Sequence, residues 1–408
     1  MSKFKFRSTK SLYLRAARIL SVALLCFSLL TSCSTGSGAQ IFPSANDSGT
    51  KMTLSEDGIQ SLPQVSAESA ILIETSTASI VGMKNADRKM SMASTTKIMS
   101  ALVAIEHGDI AKTVSVSPAA VGVEGSSIYL YKGEKLTLEE LIYAMMLESA
   151  NDAAAAIAIE VGGSIEGFAS LMNEKAAELG LESTHFTNPH GLDNDDHYTT
   201  ARDLATVALA AMKNETFKAI VSTYKKTIPL NETEGVRLLI NHNKLLKGYD
   251  GAVGIKTGYT KKSGRCLVSA AEKDGVGFIC VTLNAPDDWQ DHARMLDFGF
   301  SIFESRLLCG DGEFSYTLPV VGGDKDYITV KNKGELCAVI KNGGEIIYKT
   351  ELPRFAYAPV KEGDQVGRLV YITDGKEIAS SPLYASYSSD RIIYKKSLTD
   401  RIISLFSK

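Results

Sequence analysis

The sequence predicts an α+β domain, an antiparallel sheet with helices packed on it, followed by a small all-β domain. Three observations carry this reading. Strand-like apolar runs stand near both ends of the first region, at 70–74 with 79–81 and at 266–271 with 276–283, each pair spaced as a hairpin. Between them, apolar residues recur at helical spacing over several segments. From about Arg306 the helical periodicity gives way to short recurring strand-like runs.

A chain of 408 residues has room for two or three domains, and 44 % hydrophobic residues suffice for sizeable cores. The formal charge of −3 leaves no basic footprint, which argues against nucleic acid as a partner. A mean hydropathy near zero argues against a polytopic membrane protein.

Residues 1–33 read as a secretory signal. Lys3, Lys5, Arg7, Lys10, Arg15 and Arg18 precede an apolar run over 19–30, too short to span a bilayer comfortably. The run ends in Leu30-Thr31-Ser32-Cys33, which resembles the lipobox of bacterial lipoproteins. That resemblance implies a lipidated Cys33 at the mature N-terminus, anchoring the protein at the outer face of the bacterial cell membrane. Ordinary cleavage near Ala39, discarding Cys33, is the alternative. Residues 34–65 are rich in Ser, Gly, Thr and Asn without apolar periodicity, as in a flexible tether. Cys266, Cys280, Cys309 and Cys337 are even in number, which permits disulfides outside the cytoplasm. Cys266 and Cys280 lie inside apolar runs, however, and free thiols are expected.

The first globular domain is expected over 66–304. After the hairpin at 70–81 comes Ser94-Thr95-Thr96-Lys97, then apolar residues nearly all round a helix from Ile98 to Ile105, which suits a buried helix. Gly108 is placed to end it as a left-handed cap. Thr137-x-x-Glu140 is a capping-box pattern, followed at helical spacing by Leu138, Leu141, Ile142, Met145 and Met146. Glu148-Ser149-Ala150-Asn151 breaks that helix, and an alanine-rich helix follows over 152–161. Further helices are expected at 165–179 and 201–212, strand character over 226–240, a hairpin turn at Glu272-Lys273-Asp274-Gly275, and a closing helix over 290–303. The all-β domain is expected over 305–390, with Asp374-Gly375 as a hairpin turn. Residues 391–408 are amphipathic: Leu398, Ile402, Leu405 and Phe406 share one helical face. They suit either a membrane interface or docking back on the protein.

A hydroxyl and an amine three residues apart share one helical face, and a lysine there can take a serine's proton. The spacing alone says little, because Ser2, Ser48 and Ser222 match it too. Ser94 differs in heading a buried helix, where an amine needs partners or a cleft. Two further patterns follow in the same domain: Ser149-x-Asn151 in an inter-helix turn, and Lys256-Thr257-Gly258 leading into a hairpin. In this order the three form the set used by penicillin-binding proteins and class A β-lactamases.

With these motifs in hand, the chain resembles the serine-type D-alanyl-D-alanine carboxypeptidases, the low-molecular-weight penicillin-binding proteins. The resemblance extends through Met92–Met99, Glu148–Ala154, Gly254–Thr260, Asn188-Pro189-His190-Gly191-Leu192 and Tyr198–Leu204, and covers about 66–390. It implies an α/β (α+β) catalytic domain of the penicillin-binding-protein/serine β-lactamase type, with a β-rich C-terminal domain and a terminal amphipathic anchor. It further implies cleavage of the terminal D-alanine from peptidoglycan peptide stems, and acylation by β-lactam antibiotics. Ser94 would be the nucleophile, Lys97 the base, and Ser149 a proton relay, with Asn151 and Lys256 completing the centre. The backbone N–H groups of Ser94 and Tyr259 would form the oxyanion hole. Thr257, Gly258 and Arg202 would meet the substrate, Arg202 gripping its carboxylate. For Arg202, a salt bridge to a nearby Asp is the alternative. Some family members carry a further basic residue before the closing helix, where this chain has Asp287-Asp288-Trp289. No cofactor or metal is expected.

Three rival readings compete with this one. A class A β-lactamase needs a deacylating glutamate, typically followed four residues on by asparagine, and no glutamate between Asn151 and Lys256 has one. A metallopeptidase would draw on the crowded His185, His190, Asp193, Asp195, Asp196 and His197, but no His-Glu-x-x-His occurs. A non-catalytic wall-binding protein would not need three intact motifs.

Overall fold

The computed structural model describes residues 53–230 and 235–393. The expected signal with Cys33, the first part of the expected tether and the amphipathic end over 394–408 lie outside the described residues.

In chain order the first domain runs β1 (Ser69–Glu74), β2 (Ser79–Lys84), α1 (Lys97–His107), β3 (Thr113–Ser115), β4 (Lys135–Thr137), α2 (Leu138–Leu147), α3 (Asn151–Gly162), α4 (Ile165–Glu178), α5 (Ala201–Met212), α6 (Glu215–Ser222), β5 (Lys225–Pro229), β6 (Val236–Ile240), α7 (Leu245–Gly248), β7 (Ala252–Thr260), β8 (Gly264–Lys273), β9 (Val276–Leu283) and α8 (Asp288–Ile302). Five strands form one antiparallel sheet in the order β2-β1-β9-β8-β7. Successive side chains of a strand point to opposite faces. In β1, Ile71 and Ile73 enter the larger core with the helices, while Ala70 and Leu72 meet Met295 and Leu296 of α8 on the other face. With both faces covered, β1 and β9 are buried throughout, which is why they read as continuous apolar runs.

Local signals hold where the chemistry is local. Thr137 and Glu140 form a reciprocal capping box at α2. Asp274 and Gly275 adopt φ of 49° and 80° in the β8–β9 turn, and Asp374 and Gly375 adopt 49° and 77°, as a tight hairpin requires. Cys266, Cys280, Cys309 and Cys337 are free thiols, three of them buried.

Three expectations change. Residues 53–65, read as tether, are docked on β2 through bridges of Ser55 with Ser79 and Gln60 with Gly82, and Leu54 enters the core. Backbone pairing to a sheet edge needs no apolar periodicity, so composition did not reveal it. Gly108 does end α1, but in an extended conformation at φ −105°. Space makes glycine necessary there, since a Cβ would lie 2.4 Å from Leu138 Cδ2. Helix α6 was not anticipated; its signals are the Asn214 cap and Phe217, Ile220 and Val221 at helical spacing.

The C-terminal region is all-β, with strands β10 (Phe303–Cys309), β11 (Ser315–Val321), β12 (Tyr327–Asn332), β13 (Leu336–Lys341), β14 (Ile347–Glu351), β15 (Ala356–Tyr357), β16 (Gln365–Thr373) and β17 (Lys376–Ala385). Six of these form a sheet in the order β14-β16-β17-β12-β11-β15, and β10 pairs with β13. Arg391, expected to begin a terminal helix, instead bridges Gly323.

Candidate active site

Ser94 lies in a single 3₁₀ turn, Ala93–Thr96, that runs straight into α1. Ala93 holds φ at 47°, which is rare for a residue with a side chain. Two glycines allow the packing around this turn. A Cβ on Gly191 would lie 1.9 Å from Ala93 O, and one on Gly258 would lie 3.0 Å from Ser94 N. Gly258, the last residue of the Lys256 motif, therefore lets β7, an edge strand, approach the Ser94 turn.

Lys97, the first residue of α1, is fully buried. Its Nζ lies 2.9 Å from Ser94 Oγ, 2.7 Å from Asn151 Oδ1 and 2.6 Å from the backbone oxygen of His190. Burial holds its pKa well below the ordinary lysine value. Lys256 lowers it further, and Asp152 opposes the shift. Lys256 is itself buried, donates to Thr257 O at 3.0 Å, and is pushed down to about 7 by burial. The amine beside Ser94 is thus held toward its neutral, proton-accepting form.

Asn151 begins α3. Its Nδ2 donates to Glu124 O and its backbone N–H to Ser126 O, which fixes Oδ1 toward Lys97. Gly125, at φ 93°, leaves the room: a Cβ there would lie 2.7 Å from Asn151 Nδ2. Ser149, at φ 59°, is buried next to the cleft. The preceding Glu148 accepts from Ile240 N and pairs with His242, tying the Ser149 turn to the exit of β6.

A cleft of about 340 Å³ is lined by Ser94, Ser126, Ser149, Thr257, Gly258, Tyr259 and Arg265, among others. It brings together Ser94, Ser149, Thr257, Gly258 and Tyr259 as expected; Lys97, Asn151 and Lys256 sit directly behind.

Arg202 is elsewhere, and its expected role is corrected. It makes a two-pronged ion pair with Asp87 and a third contact with Glu56, so its guanidinium is committed to carboxylates of this chain. The alternative reading, a salt bridge to a nearby Asp, is the observed one. The cleft's arginine is Arg265, at the start of β8. Its Nε pairs with buried Asp288 at 3.1 Å. No partner for its Nη atoms occurs among the described residues. Reading the sequence missed Arg265; the available signal was a charged residue opening an otherwise apolar strand, answered by Asp288.

The histidine-rich loop is structural. His197 Nε2 lies 2.8 Å from Thr96 Oγ1, and His197 Nδ1 accepts from Thr187 N. Burial lowers His197 to about 4 and His190 to about 3, so both are neutral near pH 7. Among the described residues, no group of three His, Cys, Asp or Glu side chains is placed to hold a metal ion.

A helix-and-sheet domain that presents a serine, a buried lysine and an edge-strand Lys-Thr-Gly in one cleft defines an acyl-transferring serine enzyme of the penicillin-binding class. The chain belongs to the D-alanyl-D-alanine carboxypeptidase family, whose model matches residues 56–287. Residues 303–390 match the C-terminal domain of penicillin-binding protein 5. The D-alanyl-D-alanine carboxypeptidase DacF of Bacillus subtilis is 34 % identical over 330 residues, 78 % of this chain and 85 % of that protein. DacA of Escherichia coli K12 is 32 % identical over 350 residues, 80 % and 84 % of the two chains. Among solved structures, penicillin binding protein 5 from Haemophilus influenzae matches with a TM-score of 0.62 at 26 % identity, covering 81 % of this chain and all of that one. The Streptomyces K15 DD-transpeptidase matches at 0.57 and 32 %, covering 60 % of this chain and all of that one. The chain is accordingly a serine-type D-alanyl-D-alanine carboxypeptidase of cell-wall metabolism, and the β-lactamase and non-catalytic alternatives are set aside.

Proposed function

We propose that Ser94 is acylated by peptide stems ending in D-alanyl-D-alanine, with each surrounding residue in a defined role. The observation that carries this reading is the buried Lys97 amine 2.9 Å from Ser94 Oγ at the back of the cleft. Ser94 Oγ attacks the carbonyl between the two D-alanines while its proton passes to neutral Lys97. Backbone N–H groups of Ser94 and Tyr259 stabilise the oxyanion. As the C–N bond breaks, the proton returns through Ser149 Oγ to the leaving amine, and D-alanine departs. Water then hydrolyses the ester and regenerates Ser94. Asn151 and Lys256 hold Lys97 in place and in its neutral form. Among the described residues no strand pairs with the outer edge of β7, which lets a substrate lie alongside Thr257 and Gly258 as an added strand. A penicillin enters the same path and leaves a penicilloyl ester on Ser94.

The substrate's terminal carboxylate is assigned to Thr257 and Arg265. Arg265 is braced by Asp288 through Nε, leaving the two Nη groups for bidentate contact. Arg265→Ala is expected to lower kcat/KM for a D-Ala-D-Ala peptide by about 10- to 100-fold, the worth of hydrogen bonds to a charged group. Arg202→Ala is expected to leave it unchanged. Equal losses in the two variants would return the carboxylate to Arg202.

The reading is tested with a pentapeptide ending in D-Ala-D-Ala, scoring free D-alanine against cross-linked product. Free D-alanine is expected to dominate; cross-linked product would make the chain a transpeptidase, the activity named for the Streptomyces K15 relative.

The site is proposed to work at the outer face of the cell membrane, on a chain lipidated at Cys33 and aided by its amphipathic C-terminus. Support comes from Leu30-Thr31-Ser32-Cys33 after a basic and apolar leader. Release of the protein from membranes by Cys33→Ala, but not by wild type, is the expected result; a Cys33→Ala protein as tightly bound as wild type would point to the C-terminus alone.

A further inference from the structure

We infer that Asn188 is a positioning residue for the base: its side chain holds the His190 carbonyl against Lys97 and thereby aims the Lys97 lone pair at Ser94. The inference rests on the roles proposed above for Ser94 and Lys97.

A neutral amine has two N–H bonds and one lone pair. Around Lys97 Nζ stand three oxygens, of Asn151, His190 and Ser94. The Asn151 and His190 oxygens carry no proton and only accept. If both N–H bonds go to them, the lone pair is left facing Ser94 Oγ–H, the one neighbour with a proton to give. When the serine proton crosses, the ammonium donates to all three oxygens without either fixed bond breaking. Lose one of the two acceptors, and the lone pair faces Ser94 only part of the time.

Asn151 is the acceptor the sequence motif supplies. The other is a backbone carbonyl in the turn Asn188–Leu192, and that turn is built by the Asn188 side chain. Asn188 is nine-tenths buried. Its Oδ1 accepts from Gly191 N at 2.7 Å and His190 N at 3.3 Å, and its Nδ2 donates to Leu192 O at 3.1 Å. One amide thus fixes the backbone on both sides of the carbonyl that meets Lys97. The turn is also pressed onto the nucleophile's helix. Ser100 Oγ donates to Pro189 O at 2.6 Å, and Gly191 packs against Ala93 O. His190 meets Lys97 through its carbonyl; its imidazole, neutral near pH 7, accepts from Leu192 N at 3.3 Å within the same turn.

The charged and titratable groups facing Lys97 are Lys256 from β7, Asp152 from α3, and His190 and His197 from the loop. Asn188→Ala changes none of them. A carbonyl dipole favours the ammonium, so its retreat lowers the Lys97 pKa.

The test is the rate of acylation by a chromogenic penicillin across pH, on the full chain, normalised to sites that can be acylated so that misfolded protein does not count. Asn188→Ala is expected to acylate about 10- to 100-fold more slowly, the scale of a misplaced catalytic group. Its acid limb is expected at lower pH than in wild type. Asn188→Ser keeps a hydroxyl able to cap the turn more weakly; it is expected to lie between the two in rate and limb. Wild-type rate and limb in folded Asn188→Ala overturn the inference, as does an equal loss at every pH. Should Asn188→Ala not fold, Asn188→Ser decides: a wild-type rate and limb there overturn it. Ser94→Ala serves as the separate control. Penicillin still bound covalently to that variant would break the underlying reading, whatever the Asn188 variants do.

Discussion

Ser94→Ala is expected to abolish covalent labelling by a fluorescent penicillin and to lower D-alanine release by about 10⁴- to 10⁶-fold, as when the nucleophile of a serine hydrolase is removed. The reason is local. Ser94 is the hydroxyl in the cleft that Lys97 reaches, at 2.9 Å. Ser149 shares the cleft, yet no contact joins it to Lys97 among the described residues. The fold should survive, because among the described residues the Ser94 side chain bonds only the Lys97 amine, while the turn is held by Thr95 Oγ1 to Met92 O and Thr96 Oγ1 to Ala93 O. A folded Ser94→Ala protein that still carries label would move the nucleophile elsewhere, and Ser149 would be the next residue to examine.

Lys97→Met is expected to lower acylation by about 10²- to 10⁴-fold, the usual range for loss of a general base. Two pH measurements accompany it. In wild type, acylation should fall on the acid side as Lys97 takes up a proton, at a pH well below that of an ordinary lysine. Lys256→Ala removes the second cause of that shift and should move the limb to higher pH. An unmoved limb would leave burial, the larger cause, as the whole explanation.

Stability should respond as well. Lys97 has a lower pKa folded than unfolded, so between the two values the unfolded chain holds a proton that the folded chain lacks. Stability therefore rises with pH through that window, and the full cost of burying the amine is felt below it. Lys256 acts in the same direction from about pH 7 up to the unfolded value near 10.5. Relative to Lys97→Met, the wild type should gain stability from pH 6 to pH 10. Melts that run parallel across that range would mean that Lys97 keeps its proton.

Much of this was legible in the sequence because the determinants are short-range. The α2 capping box, the hairpin turns at Asp274-Gly275 and Asp374-Gly375, and the two-sided apolar runs of β1 and β9 depend on neighbours a few residues away. Ser94 was separable from three other Ser-x-x-Lys matches by the buried helix behind it and the two motifs downstream. Arg202 and Arg265 could not be sorted in that way. Arg202 stands beside Asp203 and Arg265 opens an apolar run, neither context names the true partner, and only the packing shows that Asp87 and Glu56 consume one guanidinium while Asp288 braces the other by a single atom. The third oxygen on Lys97 is a backbone atom and has no residue type to announce it. By itself, then, the sequence determined most of the elements, through periodicity and capping, and pointed to the family through the resemblance of its three motifs and their surroundings. The tertiary structure alone decided which arginine lines the cleft, why Lys97 is held toward neutrality, and which three oxygens surround its amine. Those depend on burial and on contacts between segments far apart in the chain, such as Lys97 with Lys256 and Arg202 with Glu56.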